Sequence, residues 1–121
     1  MTHFMVVDDS TVIRKVVRRI CEALSFKVDE AEDGEQGLAM CRDSMPDAVL
    51  VDADMPTMDG LEFVRTLRQM DGGEKPKVIY CLTEFNVAQV GKAIRAGAND
   101  HLLKPFDREI MEAKLQEVGI L

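Results

Sequence analysis

The strongest constraint on the fold is the alternation of two hydrophobic patterns along the chain. Short apolar segments, typical of buried strands, alternate with segments whose apolar residues recur at helical spacing. This alternation occurs five times and predicts a parallel sheet with helices on both faces, because a strand–helix–strand unit returns its second strand parallel to the first. The predicted strands are His3–Val7, Lys27–Ala31, Ala48–Val51, Val78–Leu82 and His101–Leu103.

Capping residues and glycines delimit the predicted helices. An N-cap side chain accepts a hydrogen bond from a free backbone N–H, and glycine ends a helix by adopting positive φ. The predicted helices are Thr11–Leu24, Gly34–Arg42 capped by Asp33, a third helix with Leu61, Val64 and Leu67 that ends before Gly72-Gly73 and Pro76, a fourth capped by Asn86 that reaches Ala96 before Gly97, and a last one capped by Asp107.

Length and charge restrict the class of protein. The 121 residues form one predicted domain, 1–121, and the formal net charge is −7. An acidic chain of this kind is not expected to bind nucleic acid or an anionic membrane, since both require a basic surface. No apolar run approaches the roughly 20 residues of a membrane-spanning helix. We therefore expect a soluble cytoplasmic protein, with Cys21, Cys41 and Cys81 as buried, reduced thiols.

Polar residues that could bind a ligand or take part in a reaction follow four of the predicted strands. Asp8 and Asp9 follow the first strand, Asp52 the third, Thr83 the fourth and Lys104 the fifth. Because ligands bind at the carboxyl edge of an open parallel sheet, we expect these side chains to meet in one pocket.

This set of side chains suits phosphoryl transfer with a divalent cation. Mg²⁺ favours one or two protein carboxylates plus water and phosphate oxygens. At about 4 Å and an effective dielectric of about 20, each pair of carboxylates repels by roughly 4 kcal/mol before screening. The sequence suggests no permanent partner for the three charges, and a fold tolerates such a cost more readily for function than for stability.

The same pocket offers a nucleophile and its electrostatic support. Asp52 ends a wholly apolar strand, and its carboxylate can attack a phosphoryl group to give an acyl phosphate. Lys104 would neutralise developing charge, and Thr83 would donate a hydrogen bond. Pro105 makes the Lys104–Pro105 bond a candidate for the cis form.

As an ordered set, the motifs of this chain resemble the receiver domain of bacterial two-component response regulators, over nearly the whole sequence. The matching pieces are Val6-Val7-Asp8-Asp9-Ser10, Glu32-Asp33-Gly34, Val51-Asp52-Ala53-Asp54-Met55-Pro56-Thr57-Met58-Asp59-Gly60, Leu82-Thr83, Ala96-Gly97-Ala98-Asn99-Asp100 and Leu103-Lys104-Pro105-Phe106.

The resemblance implies a doubly wound, flavodoxin-like (βα)5 fold with strand order 2-1-3-4-5. It implies that Asp52 accepts phosphate from a sensor histidine kinase or phosphotransfer protein. The implied ligands of Mg²⁺, or Mn²⁺, are Asp8, Asp9, Asp52 and the backbone carbonyl of Asp54. Phosphorylation would alter protein–protein binding at the face formed by the fourth helix, fifth strand and last helix, toward a downstream target that the sequence does not identify. The chain is similar to single-domain, chemotaxis-type members.

Three positions depart from the family pattern. The family usually has a Tyr or Phe three residues before the lysine, as a switch that moves with the threonine, and here this position is His101. Two residues after Thr83, where the family often has a polar side chain, this chain has Phe85. Two residues after Asp52 it has Asp54, which adds a fourth carboxylate. The first departure bears on the conformational switch. The other two bear on the lifetime of the phosphate, because they lie where the attacking water would be oriented.

Other functions remain open at this stage. One is a phosphate sink or relay intermediate without an effector. A more remote one is a haloacid-dehalogenase-type phosphohydrolase, whose Asp-x-Asp-x-Thr signature Asp52-Ala53-Asp54 partly imitates, although Met55 occupies the next position. In the leading interpretation the protein is no enzyme beyond catalysing its own phosphorylation and dephosphorylation.

The first predicted helix carries a basic stripe on an otherwise acidic chain. Either the stripe is a solvated face opposite the apolar one, or it is a docking surface for an acidic face of the kinase. Its members are Arg14, Lys15, Arg18 and Arg19.

Overall fold

A five-stranded parallel sheet forms the centre of the computed structural model, which describes all 121 residues. The strand order β2-β1-β3-β4-β5 confirms the predicted α/β class, and each strand starts and ends within one residue of its predicted bounds. Asp52 belongs to β3 as its last residue rather than following it. The strands are β1 His3–Val7, β2 Lys27–Ala31, β3 Ala48–Asp52, β4 Lys77–Leu82 and β5 Asp100–Leu103.

Five helices connect and follow the strands, and each begins at a side chain that caps it. The capping oxygen accepts a hydrogen bond from the backbone N–H three residues further on, which satisfies a donor that the helix itself cannot. The caps of the second, fourth and fifth helices were predicted, whereas Ser10 and Asp59 were not. The helices are α1 Thr11–Ala23, α2 Gly34–Asp43, α3 Gly60–Gln69, α4 Val87–Ala96 and α5 Arg108–Glu117.

Two apolar cores lie on opposite faces of the sheet. One packs α2, α3 and α4 against residues such as Val49 and Val51, and the other packs α1 and α5 against Ala48 and Leu50. Every residue of β3 is buried, as expected of a central parallel strand covered on both faces. This rigid strand fixes the backbone position of Asp52.

The three cysteines are free and buried, as predicted. Burial raises the pKa of the Cys21 and Cys81 thiols to about 12, so neither is a thiolate at neutral pH. No helix has the length and apolar character needed to cross a membrane.

Candidate functional site

Three carboxylates converge at the carboxyl edge of the sheet. Asp8 follows β1 directly and Asp52 ends β3, and β1 and β3 are neighbours in the sheet. Carboxylate oxygens of Asp8, Asp9 and Asp52 all lie within 4.8 Å of one another. Asp8 and Asp52 are 2% and 7% exposed, whereas Asp9 is exposed. Hard oxygen donors at this spacing fit a divalent cation such as Mg²⁺.

Lys104 reaches this cluster from the end of β5 and bridges two of its members. Its Nζ lies 2.8 Å from Asp8 Oδ2 and 3.1 Å from Asp52 Oδ1. The expectation that the carboxylates lack a permanent partner is therefore wrong for Asp8 and Asp52. The Lys104–Pro105 peptide bond is cis.

The electrostatics of the cluster follow from burial and from this bridge. Burial, and then the charge of Asp8, raises the pKa of Asp52, and the opposing effect of Lys104 does not cancel the rise. Burial lowers the pKa of Lys104, but its hydrogen bond to Asp8 and the charges of both carboxylates outweigh this and raise it overall. The site therefore holds the charged ammonium of Lys104 beside the Asp52 carboxylate, which is largely shielded from solvent.

Close packing of α3 beneath Asp52 shapes the segment that follows β3. A Cβ on Gly60 would overlap the carbonyl oxygen of Asp52, so only glycine permits this approach. Gly60 N donates to Ala53 O over 3.0 Å, and Ala53 N donates to Cys81 O over 2.8 Å. These bonds tie the end of β3 to α3 and β4.

Asp54 lies two residues after β3, and Thr83 directly follows β4, the strand that pairs with β3. Both line an open cavity of about 210 Å³ between the end of β4 and the start of α4. Thr83 is exposed, and Phe85 and Gln89 line the same cavity. The Asp54 carboxylate is not one of the three converging carboxylates, which leaves its backbone carbonyl as the candidate ligand raised by the resemblance.

His101 and Phe85, two of the departures from the family pattern, contact each other. Their ring centroids lie 5.3 Å apart with an interplanar angle of 51°. The His101 backbone N–H donates to Asp100 Oδ1 over 2.7 Å. Sequence reasoning treated these two positions separately, and nothing in the sequence signals that their rings meet.

The basic stripe on α1 is divided by the fold. Arg14 and Arg18 each donate to the Glu30 carboxylate at the end of β2, over 3.2 and 2.5 Å. Only Lys15 and Arg19 remain exposed and without an ion pair. The exposed part of the stripe is therefore reduced to Lys15 and Arg19, and both of its interpretations, a solvated face or a docking surface, stay predictions.

Arg14 also makes a contact that sequence reasoning missed. Its Nη1 donates to the backbone carbonyl of Asp8 over 2.7 Å. A side-chain bond to a carbonyl has no sequence signature, because every residue carries the acceptor.

Comparison with known proteins places the chain in a family. The family model for the response regulator receiver domain matches residues 4–116. The chemotaxis protein CheY of Halobacterium salinarum is 34% identical over 110 residues, 90% of each protein. This chain therefore belongs to the receiver domain family, and it is CheY-like in sequence and fold. Membership in a signalling family favours a switched binding module over the haloacid-dehalogenase-type alternative.

Solved structures agree with this assignment. Chemotaxis protein CheY4 of Vibrio cholerae matches with a TM-score of 0.94 at 30% identity, covering 98% of each chain. The receiver domain of a sensor histidine kinase from Pseudomonas aeruginosa PAO1 matches with a TM-score of 0.87 at 27% identity, also over 98% of each chain, and its structure has magnesium coordinated in the active-site cleft.

Proposed function

We propose that this protein is a phosphorylation-switched signalling module that accepts a phosphoryl group on Asp52. The observation that carries this proposal is the Lys104 bridge between Asp8 and Asp52 beside the three converging carboxylates. The donors would be the phosphohistidine of a sensor histidine kinase or of a phosphotransfer protein. This function places the protein in the cytoplasm, where such kinases present their phosphohistidine.

Asp8, Asp9, Asp52 and the Asp54 carbonyl would hold Mg²⁺, or Mn²⁺ in its place. The cation, when bound, neutralises charge on the phosphoryl oxygens and on the carboxylates. The magnesium in the cleft of the related Pseudomonas receiver domain supports this assignment.

The reaction needs little covalent work from the protein. A carboxylate oxygen of Asp52 forms a bond to phosphorus as the bond between phosphorus and the donor imidazole nitrogen breaks, and that nitrogen keeps the electron pair. Lys104 Nζ, already 3.1 Å from Asp52 Oδ1, would then face the new acyl phosphate. Thr83 would donate its hydroxyl hydrogen to a phosphoryl oxygen, with His101 following as the second switch residue.

Output would use the face of α4, β5 and α5. This face exposes large apolar side chains, among them Val87, Ile94, Leu103 and Ile110. A groove of about 410 Å³ runs between β5 and α5 beside His101. A phosphate-dependent shift of Thr83 and His101 would change this surface and therefore its affinity for a partner protein.

Labelling with radioactive acetyl phosphate tests the phosphoryl acceptor. Wild type should be labelled in the presence of Mg²⁺ and not with excess EDTA, and Asp52→Asn should lose the label. Asp54→Asn is the matched control, since it removes a carboxylate two residues away and should still be labelled. Undiminished labelling of Asp52→Asn would contradict the assignment.

A pull-down tests output. Wild type with and without beryllofluoride is compared with Asp52→Asn, and bound proteins are identified by mass spectrometry. A partner retained only by beryllofluoride-treated wild type supports a switched module. Capture of a kinase or phosphotransfer protein alone would instead favour the phosphate sink or relay intermediate.

A further inference from the structure

Arg14 is held by three acceptors at the junction of β1, α1 and β2. It donates to Asp8 O over 2.7 Å, to Glu30 Oε1 over 3.2 Å and to Thr11 Oγ1 over 3.3 Å. Its side chain is 12% exposed, although it is charged. The planar guanidinium supplies several donors in a fixed fork, so these bonds define its orientation.

Glu30 anchors this arginine from the neighbouring strand. Its second carboxylate oxygen accepts from Arg18 Nε over 2.5 Å, so both oxygens are occupied by α1 side chains. Arg18 makes no bond to Asp8 and turns instead to Glu22 at 3.1 Å. The two arginines thus share an acceptor but differ in whether they reach the Asp8 carbonyl.

Asp8 has a partner at each of its polar atoms. Its N–H donates to Ala31 O over 3.1 Å, and its Oδ1 accepts from Ser10 N over 2.8 Å. Its Oδ2 meets Lys104 and its carbonyl meets Arg14. The carbonyl belongs to the planar peptide group that joins Asp8 to Asp9, so Arg14 fixes the orientation of that plane.

Asp9 stands in contrast to Asp8. Its carboxylate is exposed and is not held by Lys104 or Arg14, yet it lies within 4.8 Å of the oxygens of Asp8 and Asp52. Like charges at this distance repel, and water is available on the exposed side. The direction of its side chain therefore depends on its backbone.

We propose that Arg14 is a positioning residue for the cation site. By fixing the Asp8–Asp9 peptide plane, it directs the Asp9 carboxylate toward those of Asp8 and Asp52 and raises the affinity of the site for a divalent cation. This inference rests on the proposed metal-binding function. It adds a residue that touches neither the cation nor the phosphoryl group, and it links α1 to the metal site.

Direct metal binding tests this role without any phosphorylation. Mn²⁺ affinity is measured by water-proton relaxation for wild type, Arg14→Ala, Arg14→Lys and Arg18→Ala. Loss of an outer contact to a metal ligand typically costs 10- to 100-fold in affinity, and we expect Arg14→Ala to lose about tenfold. Arg18→Ala, which disturbs the same Glu30 pairing, should bind Mn²⁺ like wild type. Arg14→Lys should recover part of the loss, because an ammonium can still donate to the Asp8 carbonyl.

A double-mutant cycle with Asp9 separates positioning from general destabilisation. If Arg14 acts through Asp9, Arg14→Ala should lose most of its effect on Mn²⁺ affinity in an Asp9→Ala background. Two results would overturn the inference. One is an equal loss of Mn²⁺ affinity in Arg14→Ala and Arg18→Ala, and the other is an undiminished effect of Arg14→Ala on Mn²⁺ affinity in the Asp9→Ala background. Unchanged Mn²⁺ binding in both Asp9→Ala and Asp52→Asn would instead overturn the proposed metal site itself. If Arg14→Ala does not fold, the Mn²⁺ affinities of Arg14→Lys and Arg18→Ala are compared instead, and Arg14→Lys should bind more weakly than Arg18→Ala.

Discussion

The ring of Phe85, in the loop between β4 and α4, packs against the ring of His101 in β5, with the ring centroids 5.3 Å apart. Both residues depart from the receiver pattern, and their contact makes them one unit. Phe85 is 56% exposed and lines the cavity of Asp54 and Thr83, while His101 lines the groove between β5 and α5, so the pair lies between these two pockets.

Phe85 should lengthen the life of the acyl phosphate. Its ring offers no hydrogen bond to orient an attacking water, and it lines the cavity beside Asp54 and Thr83. We expect Phe85→Gln and Phe85→Glu to lose phosphate faster than wild type, measured as decay of radiolabel after acetyl phosphate is removed. Phe85→Leu is the control, since it keeps the apolar character. Unchanged decay in both polar variants would mean that Phe85 does not gate water.

His101 should act on output rather than on phosphorylation. It contacts Phe85 and lines the groove between β5 and α5, but it makes no contact with the three carboxylates. We expect His101→Ala to be labelled on Asp52 at nearly the wild-type rate while losing affinity for the partner captured with beryllofluoride. His101→Tyr, which restores the family aromatic, should retain that affinity. Equal partner affinity in the alanine variant would leave His101 as a surface residue only.

Neutralising Asp52 should stabilise the metal-free protein. Burial and the charge of Asp8 raise the pKa of Asp52, so the folded state binds this proton more tightly than the unfolded chain does. Its contribution to stability is therefore fully present below the unfolded pKa and is lost as pH rises through the raised folded pKa. We expect Asp52→Asn to gain on the order of 1 kcal/mol in free energy of unfolding at pH 7 with EDTA.

Asp8→Asn provides the comparison. Asp8 accepts from both Lys104 Nζ and Ser10 N, so an amide at this position breaks one of these bonds. Urea unfolding should place Asp8→Asn below Asp52→Asn in stability, and Mg²⁺ should raise wild type toward Asp52→Asn by mass action. If Asp52→Asn and wild type melt at the same temperature without metal, the repulsion between the Asp8 and Asp52 carboxylates is contradicted.

Much of this architecture could be predicted because it depends on patterns that recur along the chain. Alternating strands and helices determine the parallel sheet, and residues at the ends of its strands must share its carboxyl edge. The prediction that Asp52 and Lys104 meet there is confirmed by their contact. The sequence could not specify that Lys104 already bridges Asp8 and Asp52, because that depends on side-chain direction.

Contacts between distant loops and to the backbone were also beyond prediction. The packing of Phe85 on His101 depends on the path of one loop, and the bond from Arg14 to the Asp8 carbonyl depends on a helix orientation. The four basic residues on α1 looked equivalent because their spacing on a helix is regular. Glu30, on a neighbouring strand, makes Arg14 and Arg18 differ from Lys15 and Arg19.

The Glu30 cluster should make stability depend on pH in the acid range. The hydrogen bond from Arg18, despite opposing burial, lowers the pKa of Glu30 below its usual value, with Arg14 adding to the effect. This stabilisation is present above the unfolded pKa, about 4.3, and is lost as pH falls through the depressed folded pKa. Glu30→Gln should therefore melt below wild type at pH 7, and the gap should close toward the most acid pH at which both fold. Glu22→Gln, which removes an exposed partner of Arg18, should show a smaller gap at every pH.

Ser25→Gly should stabilise the protein without touching the candidate site. Ser25 follows the C-cap of α1 with φ of 65°, in the left-handed region where a Cβ is unfavourable by about 1–2 kcal/mol. Its N–H donates to Glu22 O over 2.9 Å and the next N–H donates to Cys21 O over 3.0 Å, so the turn that ends α1 requires this conformation. Glycine removes the steric cost but adds freedom to the unfolded chain, and we expect a net gain of about 0.5–1 kcal/mol. Ser25→Asn, which tolerates the same φ, should also stabilise, whereas Ser25→Val should destabilise. Urea unfolding measures all three, and Mn²⁺ affinity should remain that of wild type throughout. A loss of stability in both the glycine and asparagine variants would mean that the serine is not strained.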